Sequence, residues 1–189
     1  MKLTLIKPNM GRTEDSPYVD EGRMEPLQLG ILAALTPPDV DVRLIDDRCE
    51  DIPYDEPTDL VGITVETFTA KRGYEICAAF RERAVPVVIG GVHPTLLPDE
   101  AHRFADAVVV GDAEAVWHNV IEDARAGHLR RRYSGLPGSV QSGVFPRRDL
   151  FRDKGYLPLS LVQFGRGCTT GCEFCAIGAY FDRAHSVRN

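Results

Sequence analysis

The 189-residue sequence lacks long apolar runs, a basic excess and an even set of cysteines, and each lack removes a class of answer. No segment approaches the ~20 consecutive apolar residues that span a bilayer, so no membrane span is expected. The first apolar run ends at Lys7-Pro8, too short for the core of a secretory signal, which makes the cytoplasm the expected location. Its 22 Lys and Arg against 28 Asp and Glu leave a net charge of −6, the wrong sign for a nucleic-acid footprint or a polybasic membrane patch. With 17 Gly and 13 Pro the chain is too poor in both to be disordered or collagen-like. Its five cysteines, Cys49 and Cys77 apart and Cys168, Cys172 and Cys175 together, do not make a disulfide framework.

What is present suits a packed α/β domain. The length corresponds to about 1.3 domains, one complete and a remainder. Five short apolar runs, at 3–6, 40–45, 60–65, 85–89 and 107–110, have strand length, and several are continuously apolar, as strands buried on both faces of a parallel sheet are. Helical spacing fills the intervals. Ala113, Val116, Trp117, Val120, Ile121 and Ala124 form one apolar face, with Asp112 as expected N-cap and Gly127 as stop, and Trp117 is read as core. A second helix is expected over 69–83, facing inward with Gly73, Ile76, Cys77, Phe80 and Ala84. A third spans 25–35 before Pro37-Pro38, and a short one spans 99–104. This alternation predicts a doubly wound, five-stranded parallel sheet of Rossmann-like type. Residues 128–158, with Arg130-Arg131-Arg132 and scattered Gly and Pro, read as a linker holding one short strand near 129–133. A new strand is expected at 159–164, running into Gly165-Arg166-Gly167-Cys168.

Two constellations carry chemistry. Cys168-xxx-Cys172-xx-Cys175 puts three soft thiols in a loop with Gly165, Gly167 and Gly171, a donor set suited to zinc, copper or an iron–sulfur cluster. A structural zinc site needs a fourth ligand, and His185, ten residues past Cys175, lies outside the usual spacing. The other constellation is the carboxyl edge of the sheet, where α/β folds bind ligands. It holds Thr64-Val65-Glu66-Thr67, Gly90-Gly91-Val92-His93-Pro94 and Gly111-Asp112-Ala113-Glu114. Gly90 and Gly91, without Cβ atoms, permit close approach of a bulky ligand.

The glycine-flanked CxxxCxxC loop, with Phe174 before its third cysteine, resembles the cluster loop of the radical S-adenosylmethionine (radical SAM) enzymes. The α/β region before it resembles the cobalamin (B12)-binding domain of one branch of that family. The two resemblances cover nearly the whole chain. They imply that Cys168, Cys172 and Cys175 hold a 4Fe-4S cluster whose open iron takes S-adenosylmethionine. They further imply that Thr64, Glu66, Thr67, Gly90, Gly91, His93, Gly111, Asp112 and Glu114 line a cobalamin site. The loop Pro8-Asn9-Met10-Gly11-Arg12-Thr13 lacks the histidine that ligates cobalt in the wider cobalamin family, so this chain would supply no lower ligand.

By this resemblance the chain divides into a cobalamin-type domain at 1–127, a linker at 128–158, and the first strand and cluster loop of an incomplete radical SAM barrel at 159–189. The implied function is the N-terminal part of a cobalamin-dependent radical SAM enzyme catalysing methylation, cyclisation or rearrangement. The isolated chain would be catalytically incomplete, with its catalytic residues unassigned and a second chain as the partner that completes the barrel. Three alternatives stand beside it: a non-enzymatic cobalamin-binding module, one half of a split enzyme, and a flavodoxin-like nucleotide binder with a zinc knuckle.

Overall fold

The structure, a computed structural model, describes residues 1–10, 23–136 and 143–187. The part of the histidine-less loop from Gly11 onward and residues 137–142 of the expected linker lie outside the described residues. In chain order the elements are β1 (Lys2–Lys7), α1 (Leu27–Leu35), β2 (Asp41–Asp46), β3 (Leu60–Thr64), α2 (Ala70–Glu82), β4 (Val87–Gly90), α3 (Val92–Leu96), α4 (Pro98–Ala101), β5 (Ala107–Val110), α5 (Trp117–Arg125), β6 (Arg132–Ser134), β7 (Gly165–Gly167), α6 (Ala176–Tyr180) and β8 (His185–Val187).

The first six strands form one parallel sheet in the order β2-β1-β3-β4-β5-β6. From β1 the chain winds outward to β2 and then returns to the other side of β1 as β3, which puts a topological switch between β1 and β3. Alternation along the strands sends side chains to two cores. Leu3, Leu5, Leu60, Val88 and Val109 pack with Leu29 of α1 and with Trp117, Val120 and Ile121 of α5. Ile6, Val61, Ile63, Ile89 and Val108 pack with Ile76, Cys77 and Phe80 of α2 on the opposite face. Burial on both faces accounts for the continuous apolar runs in the sequence.

Several details depart from the sequence reading. The sheet has six strands, not five. Tyr133 anchors the sixth, being 3% exposed and donating its hydroxyl to Asp123 Oδ2 at 2.8 Å, while Arg132 and Ser134 beside it stay exposed. This is the short strand expected near 129–133, shifted by a few residues and joined to the sheet rather than lying in a linker, since three residues are too few for periodicity to say what a strand pairs with. Residues 159–164 form no strand, because among the described residues no neighbouring strand supplies a hydrogen-bonding ladder; β7 begins at Gly165 and pairs antiparallel with β8. Asp112 makes no side-chain cap, and the chain passes through a 3-10 turn at Ala113–Ala115 before α5. Ala84 is exposed rather than inward. The turn α3 was not anticipated, since Pro94 within it reads as a breaker.

The segment after residue 142 returns across α1 to the β2 edge. Phe151 packs where a side chain on Gly30 would fall, 2.7 Å from a Cβ built there. Tyr156 donates its hydroxyl to Asp46 Oδ2 at 2.8 Å. Asp46 is fully buried, and Arg48 binds both of its oxygens, at 2.9 and 2.7 Å.

Two outcomes follow for stability. Gly91 has φ +108° and a Cβ there would lie 2.6 Å from the Val65 carbonyl oxygen, whereas a Cβ on Gly90 meets nothing closer than Val109 at 3.5 Å. Gly91→Ala should therefore lower the urea-unfolding free energy by about 1–3 kcal/mol, and Gly90→Ala should leave it within about 1 kcal/mol. Equal losses in the two variants would contradict this account of the turn. Separately, burial pushes the Cys77 thiol up to about 12 from 9.0. The folded chain keeps this proton where the unfolded chain loses it. The stability it contributes is complete below about pH 9 and falls as pH rises toward 12. Unfolding free energies measured from pH 8 to 10 should decline less steeply for Cys77→Ala than for the parent chain.

Candidate functional site

A cavity of about 340 Å3 opens at the carboxyl ends of β3, β4 and β5, beside the switch between β1 and β3. Its floor is Gly62, Val88, Val109 and Trp117, and one wall is Leu29 and Leu32 of α1. Thr64, Glu66, Gly90, Gly91, Gly111, Asp112 and Glu114 form the rim, and Arg166, Ile177, Tyr180 and Phe181 close over it. The space exists because the strands withdraw their side chains there. A Cβ on Gly62 would lie 3.4 Å from the Trp117 ring and 3.0 Å from Leu5.

The rim turns are fixed by backbone pairing. Val65 donates its N–H to the Gly90 carbonyl at 2.8 Å, and His93 donates its N–H to the Val65 carbonyl at 3.2 Å. Thr95 links the next turn, its hydroxyl donating to the Gly91 carbonyl at 2.8 Å and accepting the Gly111 N–H at 2.9 Å. Gly135 closes the third turn. Its N–H donates to the Val110 carbonyl at 2.8 Å, and a Cβ on it would sit 1.8 Å from the Asp112 carbonyl oxygen.

Charge gathers at the mouth. The Arg166 guanidinium lies between two carboxylates, 3.2 Å from Asp112 Oδ2 and hydrogen-bonded to Glu114, while its Nε donates to Gln163 Oε1 at 3.0 Å. All three charged side chains are at most 9% exposed. Burial works against the Arg166 charge, but the hydrogen bond to Glu114 and the two carboxylate charges outweigh it and hold its proton more tightly than usual. Tyr180 lies with its hydroxyl 3.4 Å from Asp112 Oδ1, and burial followed by the Asp112 charge pushes its pKa up to about 12. On the β1 side, Glu66 is paired with the nearly buried Lys7.

Of the residues expected to bind a cofactor, Thr64, Glu66, Gly90, Gly91, Gly111, Asp112 and Glu114 come together on this one cavity. Two do not. Thr67 is exposed in a 3-10 turn, and His93 is turned into the opposite face. The His93 ring Nε2 lies 3.1 Å from both the Tyr74 hydroxyl and Glu100 Oε1, and Tyr74 stacks on Phe104 with ring centroids 4.0 Å apart. Sequence reasoning missed the α1 wall, because only a helix over 25–35 was expected there and nothing in it marked Leu29 and Leu32 as lining a site. It also assigned Trp117 to packing alone, whereas the ring serves both core and cavity. Such a slot, apolar within and polar at the mouth, suits a flat apolar or heteroaromatic group with a charged or polar end facing out.

The cysteine trio does not assemble. Cys172 is exposed, Cys168 and Cys175 are half-buried, and no group of three or more His, Cys, Asp or Glu among the described residues is placed to hold a metal ion. The Cys168 sulfur instead accepts the Thr170 N–H at 3.4 Å, which draws its pKa below the usual thiol value. In this geometry the three residues do not fit a 4Fe-4S cluster. No helix among the described residues is long and apolar enough to cross a membrane.

No family model matches the chain. Among curated proteins it is similar to two enzymes of Chlorobaculum tepidum. It is 32% identical to bacteriochlorophyllide d C-8(2)-methyltransferase over 184 residues, 90% of this chain and 40% of the relative. It is 31% identical to bacteriochlorophyllide d C-12(1)-methyltransferase over 195 residues, 99% of this chain and 42% of the relative. An uncharacterized methyltransferase of Pyrococcus horikoshii is 28% identical over 198 residues, 86% of this chain and 43% of that protein. The chain thus spans about two-fifths of the length of the relatives it matches. By name these relatives are methyltransferases, and that finding replaces the expectation of a cobalamin-dependent radical SAM protein. With it go the expected 4Fe-4S cluster, cobalamin and barrel-completing second chain, for which neither the relatives' names nor the cysteine geometry gives support.

Proposed function

We propose that this chain is the cavity-bearing part of a methyltransferase that moves a methyl group from S-adenosylmethionine to a carbon atom of a large, flat organic acceptor. The observation that carries this reading is the similarity, over nine-tenths or more of the chain, to two methyltransferases whose names specify carbon positions on a bacteriochlorophyllide. In the net reaction an acceptor C–H becomes C–CH3, a proton is released and the donor leaves as S-adenosylhomocysteine.

The described residues have definable parts in such a reaction. Gly62, Val88, Val109 and Trp117 present an apolar floor on which a planar ring lies without leaving polar atoms unpaired. Asp112, Glu114 and Glu66 bring three carboxylates to the rim against the two cations Arg166 and Lys7. That balance favours the cationic sulfonium of the donor over an anionic group. Tyr180 and Phe181 limit the access of water from above.

The test is titration of the full chain with S-adenosylmethionine and with bacteriochlorophyllide d, separately and together. Binding is read by Trp117 emission and equilibrium dialysis, and methyl transfer by the mass of the recovered acceptor. At least one of the two should bind and change Trp117 emission. Gly90→Leu, which places bulk in the cavity, should weaken that binding by about tenfold or more. If neither compound is retained by the parent chain, the reading is wrong.

A further inference from the structure

The cavity is built from two parts of the chain that differ in how firmly they are held. The floor and rim belong to the sheet and its helices. Above them lies a stretch in which no residue from 159 to 187 is buried as a whole, and Val162, Phe164 and Phe174 are 86%, 72% and 93% exposed. Segments with so little buried apolar surface sit at the low end of local stability and open before the core does.

This stretch nevertheless reaches the rim, with α6 packed against α3 and two polar side chains meeting the turn after β5. Arg166 inserts its guanidinium between Asp112 and Glu114, and Tyr180 reaches Asp112 Oδ1 at 3.4 Å. Both points converge on the single turn after β5, which Gly135 holds in place from behind. The turn is braced by the sheet, while the layer above is attached by these polar contacts and by the packing of the short α6 on α3.

We propose that residues 163–181 form a cover over the cavity, closed by the insertion of Arg166 between Asp112 and Glu114, and that ligand enters and leaves by release of this clasp. The proposal rests on the reading of the cavity as the ligand site, but its test requires neither donor nor acceptor. When the cover is closed, Ile177, Tyr180 and Phe181 stand over the mouth. When it lifts, the sheet floor and Trp117 face solvent. A buried ion pair suits such a device. Its attraction is offset by the cost of removing three charges from water, so it fixes position without binding irreversibly. Rehydration of all three groups on opening returns much of that cost.

The chain has a single tryptophan, and it lies at the cavity floor, 2% exposed. Acrylamide quenching of Trp117 emission therefore reports opening directly. Arg166→Met, which keeps the length of the side chain and removes the charge, should raise the Stern–Volmer constant at least about twofold. Glu114→Gln should raise it by less, because the hydrogen bond can persist without the charge. Arg43→Ala, which breaks an exposed pair with Glu56 at the β2 edge, should leave it unchanged. Far-UV circular dichroism and a cooperative urea transition establish that each variant is folded. If Arg166→Met is folded and quenched no more than the parent chain, the clasp does not hold the cover and the proposal falls. If Arg166→Met does not fold, Glu114→Gln and Tyr180→Phe decide by the same reading, and unchanged quenching in both overturns it. Loss of binding to S-adenosylmethionine and to the acceptor would undo the functional reading and leave this measurement intact.

Discussion

The structure depends on a parallel sheet buried on both faces. Leu5, Ile6, Leu60, Val61, Ile89 and Val108 have no exposed surface, so the inner strands leave room for charged chemistry mainly at their ends. The carboxyl end is where the chain places it. Lys7, Asp46, Asp47, Thr64 and Asp112 all lie there, each under a tenth exposed. A buried charge costs several kcal/mol unless it is paired and hydrogen-bonded. Lys7 is paired with Glu66, Asp46 with Arg48 and Tyr156, Asp47 with Arg72 at 2.8 Å, and Asp112 with Arg166. These pairings fix the edge, and they tie loops distant in sequence to the same end of the sheet.

Within that edge the cavity lies where side chains are missing. Gly62 leaves room above β3, while Gly91 and Gly111, at φ +108° and +79°, turn the chain away from the strand ends before any side chain can fill the gap. Trp117 takes up part of the vacated space and anchors its nitrogen, donating to Thr36 Oγ1 at 2.9 Å. A buried indole with a satisfied N–H is a stiff wall. The packing of α5 therefore sets the depth of the cavity, and the core and the site are one construction.

Much of this was legible in the sequence because it follows from periodicity. Continuous apolar runs mark strands covered on both sides, and the five expected runs became β1 to β5 with boundaries shifted by a residue or two. The helices over α2 and α5 follow from the spacing of their inner faces, and α1 from the Pro37-Pro38 stop that ends it. The three rim turns were found because glycine and acidic residues gather at strand ends, where the fold exposes them. His93 misled for a physical reason. A strand-end histidine is placed near the rim by topology, but which face its ring takes depends on Tyr74 and Glu100, which lie 19 positions before it and 7 after it. Residues 159–164 misled differently. Apolar composition specifies a strand only where another strand offers a ladder, and composition says nothing about the neighbour. Cysteine spacing has the same limit. It describes what a loop could gather, whereas convergence of three sulfurs depends on backbone geometry that no count of intervening residues fixes.

The reach of Arg166 joins the covering segment to the sheet. Its position in the sequence, between two glycines, gives a residue able to approach a crowded rim. A Cβ on Gly167 would fall 1.9 Å from the Ala184 carbonyl, so the β7–β8 pair closes tightly just beyond it. The hairpin thus carries one long cationic side chain to the rim. The sheet offers the complementary half, two carboxylates on one turn, backed by Gly135 and β6. Apolar packing at the contact is limited to α6 on α3, and Val162 and Phe164 beside Arg166 stay exposed. What fixes the hairpin on the rim is charge in a partly dry setting, strong in direction and modest in net free energy. A contact of that kind selects one arrangement of the covering segment over the cavity while leaving the cost of departing from it small.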